Sequence, residues 1–81
     1  MITSFNKLLK VATSEDVVYV TRVNQFNYQI SQLRIDNKNK VVQIGCFTRN
    51  ENITTKANIH TLICVLENRD HYRIVNQTWS K

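Results

Sequence analysis

Proline is absent from this sequence, and glycine occurs once, at Gly45. Few positions can therefore break a helix or strand through backbone chemistry alone. Glycine-rich loops that cradle phosphate are excluded for the same reason. Cysteine is scarce too, with Cys46 and Cys64 the two in the chain. Two cysteines do not make a disulfide framework. The opening Met1-Ile2-Thr3-Ser4-Phe5-Asn6-Lys7 lacks the long apolar stretch and small-residue cleavage site of a signal peptide. Both thiols are accordingly expected reduced and buried, and the expected location is cytoplasmic. No apolar run approaches the roughly 20 residues that span a bilayer, so no membrane association is expected. Acidic residues are the last shortage: six Asp and Glu stand against eleven Lys and Arg, for a formal net charge of +5.

What remains is enough for a folded unit. The 81 residues are 42% hydrophobic, which argues against disorder and predicts one domain over 1–81. A chain this short has little room for both a core and a deep catalytic cleft. Asn, Thr and Gln are frequent and supply hydrogen-bonding surface without charge. Such a composition is common among small proteins of AT-rich genomes, phage genomes included.

Residues 4–13 read as a helix, with Phe5, Leu8, Leu9 and Ala12 on one apolar face and Ser4 as N-cap. The β-branched and aromatic run from Asp16 to Val23 reads as a strand, with a tight turn at Asn24-Gln25. Phe26 to Ile35 reads as a second strand whose alternation slips by one near Ser31-Gln32, the signature of a β-bulge. Asp36-Asn37-Lys38-Asn39-Lys40 is the clearest turn. Val41 to Thr48 follows as a third strand, in which Gly45 marks a bulge or a close contact. Thr54 to Glu67 reads as the main helix, capped by Thr54 or Asn52 and ended by Asn68. Its core stripe is Ile59, Leu62, Ile63 and Leu66, widened by Cys64 and Val65. His71 to Trp79 reads as a last strand. The expected fold class is a small two-layer α+β domain of order α-β-β-β-α-β. Its sheet is an antiparallel meander with two helices packed on one face, and the last strand extends the sheet at an edge.

The basic residues are the leading functional signal. Arg34, Lys38 and Lys40 flank the predicted hairpin, while Arg49 and Lys56 bracket the start of the main helix. Lysine and arginine bind phosphates by releasing counterions, and a helix N-terminus adds free N–H donors. A nucleic-acid surface built from the hairpin and this helix start is the functional expectation. The competing explanation is a solvated surface that maintains solubility. Aromatic residues can stack bases when exposed but more often pack a core. Tyr28, flanked by Asn27 and Gln29, and Trp79, near the C-terminal end, are the candidates for an edge or interface role.

Two sets of residues have the chemistry of a possible site. His60 and Cys64 stand four apart on one predicted helix, and Cys46 and His71 are the remaining soft ligands. Zinc signatures bring their ligands in close pairs, which this chain lacks, so no metal and no cofactor is expected. A small basic ribonuclease would use His71, Tyr72 and Arg73. Strand alternation sends Tyr72 to the face opposite His71 and Arg73, so the three do not converge without a bend.

The order α-β-β-β-α resembles that of the double-stranded RNA-binding domain. The resemblance implies shape-based binding across an RNA minor groove. That family carries a lysine cluster at the start of its second helix and glycines in its loops. Here Thr54-Thr55-Lys56-Ala57 offers one lysine, there is no glycine-rich loop, and the final strand is extra. The expectation is therefore a small, non-enzymatic regulatory protein that binds nucleic acid through a positive surface, with RNA or a protein–RNA complex preferred over DNA. The alternative is a protein-binding inhibitor of phage type that engages an acidic partner protein. An edge strand would also support a homodimer.

Overall fold

A computed structural model describes residues 1–22, 32–45 and 51–76. Helix α1 spans Phe5–Ala12, and strands β1 (Val17–Arg22), β2 (Gln32–Asp36) and β3 (Val41–Ile44) follow. Strand β4 (Ile53–Thr55), helix α2 (Ile59–Asp70) and strand β5 (Arg73–Asn76) complete the order. The five strands form one sheet in the order β4-β1-β2-β3-β5.

The α+β class and the central meander agree with the sequence reading. Strand β2 pairs antiparallel with β1, from Val17↔Asp36 to Thr21↔Gln32. It pairs antiparallel with β3, from Leu33↔Ile44 to Asp36↔Val41. The sheet as a whole is not an antiparallel meander but mixed. Strand β4 lies parallel to β1, and β5 lies parallel to β3. For β5 the cause is the connection through α2. A parallel strand needs a crossover long enough to bring the chain back to the starting end, and α2 carries it from one edge of the sheet to the other.

Strand β4 occupies residues that the sequence pattern assigns to a link and a helix start. Ile53-Thr54-Thr55 is a β-branched run, stiff at χ1 and better suited to a strand than to a first helical turn. The helix therefore starts later, at Ile59. Its N-cap is Asn58, not Thr54 or Asn52, and the Asn58 side chain accepts from the Thr61 N–H at 3.1 Å. Asn68 does not end α2. The helix runs two residues further, and His71 takes the left-handed conformation at its C-terminus with φ 61°. Ser4 precedes α1 as expected, yet its side chain makes no capping hydrogen bond. The predicted turn at Asn24-Gln25, the bulge near Ser31 and the ends of the second, third and last strands lie outside the described residues.

Alternation along the strands sorts the core. Val18 and Val20 of β1, Leu33 and Ile35 of β2, and Val42 and Ile44 of β3 are buried on one face. Leu8 and Ala12 of α1 and Ile59, Leu62, Ile63 and Leu66 of α2 join them in a single cluster. Both helices thus cover the same face. Burying one such aliphatic side chain contributes roughly 1.5–3 kcal/mol. The expected widening of the α2 stripe fails at Cys64, which is exposed with a free thiol. Position 64 falls on the far side of a helix whose Leu62 and Leu66 face inward. Cys46 lies outside the described residues. Among the described residues no helix is long and apolar enough to cross a membrane.

The two edges of the sheet are finished differently. Ile2 forms a parallel bridge with Thr55 on the outside of β4. Its N–H donates to Thr54 O at 3.0 Å, and its carbonyl accepts from Lys56 N at 3.1 Å and Thr55 Oγ1 at 2.8 Å. At the other edge the strand order ends with β5.

Candidate nucleic-acid interface

The face of the sheet away from the helices is the place to look for a site. Its residues alternate with the buried ones: Tyr19 and Thr21 on β1, Gln32 and Arg34 on β2, and Gln43 on β3. The register aligns Tyr19 with Arg34 and Arg34 with Gln43, so these three form a row across the central strands. All three are half-buried among their neighbours. Arg34 Nη1 donates to Gln43 Oε1 at 3.4 Å. A guanidinium has five N–H donors, so among the described residues this contact engages only part of the fork, with the Asp36 carboxylate nearby. Arg73 begins β5 beside Val41 and is exposed on the same face. At the lower end of the sheet, Lys38 is exposed at the tip of the hairpin turn.

The turn is held by its own side chains. Asp36 accepts from the Asn39 backbone N–H at 3.0 Å and from Asn39 Nδ2 at 2.9 Å. These bonds to the ionised carboxylate, with Arg34 nearby, hold the Asp36 pKa below its ordinary value of 3.8. Asn37 fastens the turn to the helix layer. Its Nδ2 donates to Ala12 O at 2.8 Å and Glu15 O at 2.6 Å, and its Oδ1 accepts from the Tyr72 hydroxyl. Lys40 follows in the left-handed conformation with φ 58°. That position favours Gly or Asn. Its ammonium sits over the Tyr72 ring, 4.7 Å from the centroid, a favourable cation–π placement.

The five basic residues singled out in the sequence therefore separate. Arg34 lies on the open face and Lys38 at its lower margin. Lys40 turns to the helix side and covers Tyr72. Lys56 is exposed just past β4, where Thr55 aligns with Arg22 at the upper end of β1. The hairpin and the start of α2 thus occupy opposite ends of the sheet and do not form one surface. The end of α2, not its start, approaches the hairpin. Lys56 also precedes the Asn58 cap and is not part of the helix. Arg49, Tyr28 and Trp79 lie outside the described residues.

The residue that sequence reasoning undervalued is Arg73. Its phase relative to Ile74, which packs against the core, was the available signal. The ribonuclease set does not assemble. His71 is the helix C-cap rather than a strand residue, and Tyr72 is buried with its hydroxyl committed to Asn37. His60 and Cys64 are both exposed on the outer side of α2. Among the described residues no group of three or more His, Cys, Asp or Glu is positioned to hold a metal ion.

A cleft of about 440 Å³ opens between Leu9 of α1 and its C-cap Thr13, Asn37 and Lys40 of the hairpin, and Val65 and Arg69 of α2. Its polar wall is the Asn37–Tyr72 latch just described. Arg69, in the last turn of α2, sits where a cation is favoured by the helix dipole. No known protein family, curated protein or solved structure matches this chain.

Proposed function

We propose that the protein is a non-enzymatic regulator that binds single-stranded nucleic acid, RNA over DNA, across the helix-free face of its sheet. The observation that carries this reading is the row Tyr19–Arg34–Gln43, with Arg73 and Lys38 at its margin and both helices on the opposite face. Arg34, Arg73 and Lys38 take phosphates. Tyr19 supplies an aromatic surface next to the central guanidinium, and Gln43 supplies an amide for hydrogen bonding. A broad sheet face with a central aromatic suits splayed single strands better than a rigid duplex. The net charge of +5 steers a polyanion towards the protein from any direction. Strand β4 removes the likeness in element order to the duplex-binding domain, so the RNA preference rests on these open-face polar groups, which suit the unpaired bases that sequence-specific RNA recognition targets.

Fluorescence anisotropy with a short single-stranded RNA, over a salt series, tests the reading. Three phosphate contacts give a log–log salt slope of about −2, at roughly −0.7 per contact for single strands. Arg34→Ala should lower affinity about tenfold, the scale expected on losing a charge-assisted hydrogen bond, and should flatten the slope by about one contact. Lys56→Ala, at the other end of the sheet, should change neither. Absence of binding at low salt, or equal losses at Arg34 and Lys56, would show that the charge is general surface and not a site.

A further inference from the structure

The geometry points to the outer edge of β5 as a docking edge that accepts an extended segment of an acidic partner protein as a sixth strand. In a parallel ladder alternate residues bond to the neighbouring strand, and the residues between them direct N–H and C=O outward. Arg73 N donates to Lys40 O at 2.8 Å, on the β3 side. Arg73 and Val75 therefore face β3, and Ile74 and Asn76 present their backbone groups to the outside. Among the described residues no strand lies there. Natural sheets block such edges with charge, proline, bulges or a covering segment. The β4 edge is blocked in this way by Ile2, and β5 has no such cover among the described residues.

The charge of the edge selects the occupant. Strands β3 and β5 contain no acidic residue, and Arg73 is the one charged residue between them. Arg69 and Lys40 stand close to the start of β5, offset in part by Asp70. A second copy of this chain would bring another net +5 and another Arg73 to the same edge. An acidic segment brings the opposite sign, and steering of this kind raises association rates and rejects like-charged partners. Paired residues share a face. The incoming strand therefore meets Arg73 with an acidic side chain on the open face, and extends the half-buried Ile74 with an apolar one on the core face. Main-chain hydrogen bonds supply affinity and the alternating side chains supply specificity, as in other cases of strand addition.

A short synthetic peptide alternating Glu and Val is the probe, with its Lys and Val counterpart as control, read by amide NMR and hydrogen exchange on the intact chain. The Glu–Val peptide should shift the amides of Ile74 and Asn76 and slow their exchange about tenfold, as expected when an exposed strand amide becomes paired. The Arg73 and Val75 amides should change less. Ile74→Pro removes an outward N–H and should abolish the response. Proline is tolerated at edges where no ladder bond is lost. If that variant does not fold, Arg73→Glu provides the second test, and should reverse the preference between the two peptides. Arg34→Ala should leave peptide binding unchanged, because the edge shares Arg73 with the nucleic-acid face but not Arg34. The proposal is overturned if Ile74 and Asn76 do not respond, or if both peptides act alike. It is also overturned if sedimentation shows that the free protein is already a dimer paired through these amides.

Discussion

The two faces of the sheet are built from the same strands, one residue out of phase. On the helix side, Val18, Val20, Leu33, Ile35 and Val42 are at most 1% exposed. On the other side, Tyr19, Arg34 and Gln43 stand half-buried and polar. Period-two alternation lets a short strand carry a folding surface and the proposed binding surface at once. The consequence is that the two roles can be perturbed separately.

Leu33→Ala should have the largest effect. It removes a fully buried side chain from the central strand and should cost roughly 2–5 kcal/mol, measured by denaturant unfolding. RNA affinity of the folded fraction should be unchanged. Asn37→Ala comes next, because it strips partners from the Tyr72 hydroxyl and from the Ala12 and Glu15 carbonyls together. A loss of about 1–3 kcal/mol is expected from part-buried groups left unpaired. Tyr72→Phe should cost less, since it leaves the two carbonyl contacts in place. Arg34→Ala inverts the pattern. The tenfold loss of binding should come with a stability change within about 0.5 kcal/mol, the range for surface substitutions. A large loss of stability at Arg34 would break the division between faces.

The smallest effect concerns Asp36. Its folded pKa lies below the ordinary 3.8, so the folded state favours the ionised carboxylate. That contribution is present above the unfolded value and is lost as pH falls through the folded value. Asp36→Asn should therefore lose stability less steeply as pH falls below the ordinary carboxylate value of 3.8, followed by melting temperature against pH.

The legible parts of this structure were those set by periodicity. Ile59, Leu62, Ile63 and Leu66 were readable as the α2 core from their spacing, and all four are buried. The hairpin at Asp36–Lys40 was readable from turn chemistry. The parallel edges were not, because a run of three β-branched residues is too short to stand out as a strand beside a strong helical pattern. Their strand character is decided by long-range pairing with Val20–Arg22 and with Ile2. The same slip shifted the expected basic surface. Placing the helix start at Thr54 brought Lys56 into one patch with the hairpin, whereas α2 presents its other end there. Lys40 could not be separated from Lys38 by sequence, since its orientation depends on a left-handed backbone and on the ring of Tyr72.

The seat of Ile2 against β4 has a consequence in time. The hydroxyl of Thr55 reaches the Ile2 carbonyl across 53 positions of chain. Contacts so remote in sequence form late, because a long loop must close before they reward it. During synthesis, Ile2 leaves the ribosome well before Thr55, and it seals the border of the sheet only after the 53 positions between them have been made.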